Sequence, residues 1–241
     1  LRRLLRTYFK TIRPDAPLYA GLAERLEEGD VVVTFNYDLA LENELAKNGK
    51  FKVRDGYGFR AEWDEDLSPV TILKLHGSLN WIGNVFQGAR GGSSGYFSNS
   101  LGAHPFVDNV DSAIVGYPPR VLDKSFPGGG VTDGSGTLIL PTYEKRFSVP
   151  TNVGDEWVEF FDGLWENAIQ ALQSSTRIVI IGYSLPAADR RARAMLLWNA
   201  NKSARTFVCC GTSSEGLKLQ FEDHGFWKVQ AIGTFEKFLE S

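Results

Sequence analysis

The sequence predicts an α/β fold, a parallel sheet with helices on both faces and one long irregular insertion. Three observations carry this. First, Val31–Phe35, Val70–Leu75, Arg177–Ile181 and Thr206–Cys210 are apolar, largely β-branched runs, as buried parallel strands are. Second, segments with helical periodicity alternate with them, which indicates strand–helix–strand units with right-handed crossovers. Third, twelve of the 25 glycines fall between Gly83 and Gly136, together with Pro105, Pro118, Pro119 and Pro127. No period emerges there, and residues 84–136 read as an insertion or lid with little regular structure.

The elements follow in order. Leu1, Leu4, Leu5, Tyr8, Phe9 and Ile12 share one helical face, and Pro14 breaks that helix. Asp15 can cap a second helix bearing Leu18, Leu22 and Leu26, which Gly29-Asp30 ends. After the strand 31–35, a helix runs from Leu39 to Lys47 and stops at Asn48-Gly49. Phe51–Val53 is a candidate short strand, Val70–Leu75 a strong one, and Leu79–Val85 a candidate edge strand. Thr137–Leu140 is a short strand before Pro141. Asp155–Gln173 is the longest helix, with Trp157, Phe161, Leu164, Trp165, Ala168 and Leu172 on a broad apolar face. Strand 177–181 leads to a helix over Ala188–Ala200, and strand 206–210 to a helix over Glu215–Asp223. Val229–Ile232 and Phe235–Leu239 close the chain as strand and helix, and no repeats occur.

Composition bounds the function. The chain has 241 residues, a net charge of −3 and 43% hydrophobic residues, an ordinary globular composition for one sizeable domain. With a pI near 5.7 it has no basic footprint, and nucleic acid is not indicated as a partner. No apolar run has transmembrane length, and no leader pattern precedes the first helix, so no membrane partner and a cytoplasmic location are expected. The two cysteines, Cys209 and Cys210, are adjacent. That excludes a disulfide framework and a four-cysteine zinc site, and reads as reduced, buried thiols. The chain begins with Leu1, which suggests a piece of a longer protein with fused or associated domains.

Chemistry collects just after the strong strands. Asn36 and Asp38 follow the first, His76 and Ser78 the second, Gly182 and Ser184 the third, Gly211 and Ser213 the fourth. In a parallel sheet these four clusters lie along one edge, at the carboxyl ends where ligands bind. An amide, a carboxylate, an imidazole, hydroxyls and glycine turns before helices suit a phosphorylated, hydroxyl-rich ligand such as a nucleotide. Each cluster also has a plain structural reading. Asp38 can be a helix cap, Asn36 a turn residue, His76 a satisfied structural histidine, and Gly182 and Gly211 simple strand-to-helix turns. Lys145 and Arg146 are either a phosphate contact or a solvated turn. His104 and His224 lack a strand-end setting and read as surface residues.

Three segments in order carry a family resemblance: Thr34-Phe35-Asn36-Tyr37-Asp38, Lys74-Leu75-His76-Gly77-Ser78 and Ile181-Gly182-Tyr183-Ser184-Leu185-Pro186. Together they resemble the sirtuin-like domains of bacteria and their viruses, in a zinc-less branch, from about Val31 to the C-terminus. Leu140–Lys145 is similar to the segment that bacterial relatives carry before the long helix. The resemblance implies a Rossmann-like, doubly wound sheet that binds NAD. Many such domains hydrolyse NAD to nicotinamide and ADP-ribose, often as effectors of antiphage defence. Carried over residue by residue, Asn36 and His76 match the catalytic pair, and Asp38 the acid beside the nicotinamide. Thr34, Phe35, Gly77, Gly182, Ser184, Leu185 and Gly211 fall at cofactor-binding positions. Four departures stand out. Phe35 replaces the sirtuin glutamine, and the zinc-binding cysteine pairs are absent. Cys210-Gly211-Thr212 lacks the family's asparagine, and the glycine-rich phosphate loop is not in the chain and is expected upstream of Leu1.

The resemblance thus implies an NAD glycohydrolase, with NAD as substrate and no zinc, and with a homo-oligomer as a possible state. The glycosidic bond breaks with oxocarbenium character, and nicotinamide leaves without a general acid because it already carries positive charge. Asn36 would position a ribose hydroxyl or the attacking water. His76 would accept a proton, since an ordinary imidazole titrates near ~6.5. Two other classes stay open: a module that binds NAD or ADP-ribose without cleaving it or serves as an interaction scaffold, and a protein deacylase, against which the missing cysteine pairs weigh.

Overall fold

The structure is a computed structural model. It describes residues 16–52, 55–58, 68–82, 106–107, 136–138 and 156–241. The helix expected over residues 1–12, the Asp15 cap, His104, Tyr143–Arg146 and most of 84–136 lie outside the described residues. The chain divides into two compact units, Leu1–Leu164 and Trp165–Ser241. The architecture is mixed α/β, and among the described residues the parallel strands fall into two small sheets, not one continuous sheet.

In the first unit, α1 (Ala16–Arg25) precedes β1 (Val31–Thr34). The α1 end is tied by Lys50, whose ammonium donates to the carbonyls of Ala23, Glu24 and Leu26 at 2.9, 2.8 and 2.6 Å. A cation there complements the negative end of the helix. Gly29 turns the chain with φ +90°. α2 (Ala40–Lys47) follows, and Asn48 and Gly49 (φ +68°) end it as the sequence predicts. β2 (Thr71–Lys74) pairs with β1 in parallel, Val31 opposite Thr71 through Thr34 opposite Lys74. Ala23, Leu39, Leu41, Leu45, Phe51, Tyr57, Val70, Ile72, Leu73 and Leu75 are buried around this pair.

Three expectations are corrected in this unit. β1 is only half-buried, and Val31 is exposed, although three valines in a row read as a covered strand. The reason is that its hydrogen-bonding partner among the described residues is β2 alone. Phe51-Lys52 is not a strand; Phe51 instead packs edge-on against Tyr57 at 5.1 Å, and the Lys52 amide donates to Ser68 Oγ at 3.1 Å. β3 (Gly77–Ile82) is not an edge strand. It lies between β4 (Phe106–Val107) and β5 (Gly136–Leu138), antiparallel to both. The 84–136 stretch therefore supplies a short strand, β4, and at Gly136 the start of β5.

α3 (Glu156–Ser174) spans the division between the units. In the second unit, β6 (Arg177–Ile181), β7 (Arg205–Cys209) and β8 (Val229–Ala231) form a parallel sheet with β7 central. Ile178, Ile180 and Val208 are buried with Leu217, Phe221, Phe226 and Phe238. The last three lie on or near α5 (Ser214–Asp223) and the closing helix Phe235–Glu240. The helix expected over 188–200 starts later and changes winding. Asp189 caps α4 (Arg190–Arg193), and residues Ala194–Asn199 continue as a π-helix. Asn199 Nδ2 donates to the Ala194 carbonyl at 2.9 Å and Lys202 Nζ to that of Leu197, so side chains serve carbonyls in the wider turn.

Candidate functional site

The carboxyl ends of β1 and β2 are adjacent because the strands are parallel and in register. Thr34 opposes Lys74, and the Leu75 amide donates to the Thr34 carbonyl at 3.0 Å. Asn36 and His76 each stand two residues beyond that register pair. The chain turns after β1 because the Asn36 amide donates back to Thr34 Oγ1 at 3.0 Å. Asn36 is exposed, whereas Tyr37 beside it is buried and its phenol is pushed up to about 12 by that burial. The Asp38 carboxylate accepts the Ala40 amide at 3.0 Å, a local turn just ahead of α2. Asp38 is therefore not the N-cap that the sequence suggested: Leu39 holds that position, without a side-chain cap, and Asp38 stands one residue before it.

His76 is 8% exposed. Its ring lies 4.9 Å from the ring of Phe35 and 6.4 Å from that of Tyr37, both tilted. Phe35, half-buried, therefore contributes an aromatic wall to the imidazole. Gly77 has φ +86° and begins β3 directly after His76, a conformation that suits glycine. Ser78 is fully buried, so its hydroxyl is not presented at the strand-end edge as the sequence suggested.

Behind these loops lies a polar cluster that the strand-end pattern does not reveal. Lys74 Nζ and Glu42 Oε1 are 2.6 Å apart, with the two side chains 1% and 3% exposed. The same ammonium donates to the Asp38 carbonyl. Tyr57 Oη donates to the same Glu42 oxygen at 3.3 Å. Burial pushes the Glu42 carboxyl up, the Lys74 ammonium pulls it back, and nearby Asp38 adds to the rise. Tyr19, from α1, lies close to the same carboxylates. Its phenol is raised first by burial, then by the Asp38 and Glu42 carboxylates. The sequence does hold one signal for this cluster: a lysine inside the apolar run VTILKL cannot be buried without a partner.

The second unit holds the other candidates. Ile181 opposes Cys209, so the turns after β6 and β7 are neighbours. Gly182 (φ +65°) and Gly211 (φ +59°) are exposed, and their amides donate to the carbonyls of Cys209 and Gly233 at 3.0 and 2.7 Å. Ser184 is exposed, while Leu185 is 2% exposed and held at φ +52°, a left-handed conformation uncommon for leucine. The turn is pinned from three sides. Tyr183 Oη donates to Asp189 at 2.7 Å, Arg193 Nη1 to the Leu185 carbonyl at 3.1 Å, and Cys210 Sγ to the Tyr183 carbonyl at 3.4 Å. Gly182 does not lead straight into a helix, since α4 begins only at Arg190. Gly211 opens a short 3-10 turn, Gly211–Ser213, ahead of α5.

The cysteines behave as buried thiols. Cys209 is 2% exposed and pushed up to about 11 by burial, and half-buried Cys210 is raised for the same reason. His224 ends α5, with Nδ1 2.7 Å from the Gln220 carbonyl and its ring edge-on to exposed Trp198. Among the described residues no group of three or more His, Cys, Asp or Glu could hold a metal ion, and no helix is long and apolar enough to cross a membrane. In comparisons with known proteins, no family model and no curated protein matches the chain.

Proposed function

We propose that the protein is an NAD glycohydrolase whose catalytic pair is Asn36 and His76. The observation that carries this reading is the register of β1 and β2, which puts an exposed amide and an aromatic-walled imidazole on adjacent loops, each two residues past the same strand pair. The reaction consumes NAD and one water and yields nicotinamide, ADP-ribose and a proton. Asn36 would hold a ribose hydroxyl or the water, and His76 would take the proton as the C1′–O bond forms. The Asp38 carboxylate would lie beside the nicotinamide or support the ribosyl cation. Thr34, Phe35 and Gly77 belong to the same loops, and Gly182, Ser184, Leu185 and Gly211 are proposed as nucleotide contacts. The fold that accompanies this reading is a Rossmann-like, doubly wound sheet. A role as an antiphage effector in the cytoplasm, within a longer or oligomeric protein and without zinc, completes the proposal.

The test is kinetic. Nicotinamide release from NAD is measured for the protein and for Asn36→Ala and His76→Ala. The reading expects each variant to lose about 100-fold or more in kcat, as removal of a positioned base or orienting group does. Equal turnover by the parent and both variants would remove the two residues from the mechanism.

A further inference from the structure

We propose that Lys74 and Glu42 form a positioning clamp that locks the Asn36–Asp38 loop to the His76 loop. Lys74 is the last residue of β2 and stands two residues before His76. Its ammonium reaches across to the Asp38 carbonyl, two residues beyond Asn36. Glu42, in the first turn of α2, receives the same ammonium at 2.6 Å. Tyr57, from the 3-10 turn Asp55–Tyr57, donates to the same carboxylate at 3.3 Å. One buried cation thus joins β2, the loop after β1, and α2, and its carboxylate partner anchors a fourth segment.

A dry ion pair is a poor device for stability alone, because apolar side chains of similar volume do as well or better. It is a good device for geometry. The Asp38 peptide cannot rotate without leaving a buried ammonium short of an acceptor, and such a rotation would shift the loop that carries Asn36. The rest of the loop depends on the same peptide. The Asn36 amide is held by Thr34 Oγ1 and the Ala40 amide by the Asp38 carboxylate, so both report on whether the loop is fixed. Neither Lys74 nor Glu42 reaches solvent, so they act through the loop and not on a ligand.

Only the kinetic consequence rests on the NAD-hydrolase reading; the clamp itself is tested without it. The double variant Glu42→Leu with Lys74→Met removes both charges and keeps bulk. Amide hydrogen exchange of Asn36 and Ala40 is followed by NMR, beside thermal melting and the kcat and KM for NAD. The clamp predicts melting close to the parent, exchange of both amides faster by about tenfold or more, and kcat lower by about tenfold with KM little changed. Unchanged exchange at both amides in the folded double variant overturns the clamp. Should that variant fail to fold, Glu42→Gln with Lys74→Met, which strands no charge and keeps an acceptor for Tyr57, is followed at the same two amides. Faster exchange there supports the clamp, and unchanged exchange overturns it. Faster exchange in a protein whose parent releases no nicotinamide keeps the clamp and removes the hydrolase reading. Unchanged exchange beside an active parent does the reverse.

Discussion

The buried Lys74–Glu42 pair makes a quantitative prediction about stability. Glu42→Leu alone leaves the Lys74 ammonium, 1% exposed, with the Asp38 carbonyl as its remaining acceptor. Lys74→Met alone leaves Glu42 with the Tyr57 hydroxyl at 3.3 Å. Breaking a buried pair from one side typically costs about 3–5 kcal/mol, and the surviving partner places each single variant near ~3. The double variant strands no charge. It takes the ammonium from the Asp38 carbonyl and the carboxylate from the Tyr57 hydroxyl, which costs about 1–2 kcal/mol, partly offset by apolar burial. The double variant should therefore be more stable than either single one, with a coupling energy of about 3 kcal/mol or more. Urea unfolding followed by far-ultraviolet circular dichroism measures all four proteins, provided the slope with denaturant stays constant. A double variant that loses the sum of the two single losses would refute the coupling, and with it the account of how the pair sits in the core.

Other outcomes follow from particular residues. Gly182→Ala adds a Cβ that meets no atom within 4 Å, so its effect is the left-handed backbone alone, a loss of about 1–2 kcal/mol in unfolding free energy. Asp38→Ala removes the acceptor of the Ala40 amide and should lower stability by about 1 kcal/mol, whereas Asp38→Asn keeps the acceptor. If Asp38→Asn is stable but slow on NAD, the carboxylate charge acts on the substrate; if it is as fast as the parent, Asp38 serves the turn alone. Burial raises the Cys209 thiol to about 11 and the Tyr37 phenol to about 12. Both folded values lie above the unfolded ones, so their stabilisation is complete below about pH 8.5 for the thiol and 10 for the phenol and is lost as pH climbs toward the folded values. Melting temperature should fall steadily from about pH 8.5 to 11, and a flat profile would contradict the burial of these groups.

Strand and helix positions were legible where local pattern is strong. Arg177–Ile181 is a strand over the expected residues, and the stop at Asn48-Gly49 and the start of β2 lie within a residue or so of expectation. Pairing was less legible, because it depends on residues distant in sequence. The valines of β1 announce a strand but not that its partner among the described residues is β2 alone, nor that the parallel strands divide between two sheets. Likewise Trp81 announces a strand but not that β3 is central. At the site, strand ends alone bring Asn36 and His76 to neighbouring loops, because parallel register needs no more than the two strands. They do not bring in Tyr19, Glu42, Asp189 or Arg193, whose roles come from contacts across the fold. Lys74 belongs with these by its contacts, although a charge inside an apolar run is visible in the sequence itself.

The central claim is that water attacks the ribose of NAD at the loops after β1 and β2. Reaction of the protein with NAD in ¹⁸O-water, followed by mass spectrometry of the products, tests it most directly. Hydrolysis at this site predicts free nicotinamide in equal amount to ADP-ribose, with one ¹⁸O at the ribose C1′ hydroxyl. No nicotinamide release, or release with the ribose joined to an acyl group instead of labelled oxygen, would contradict it.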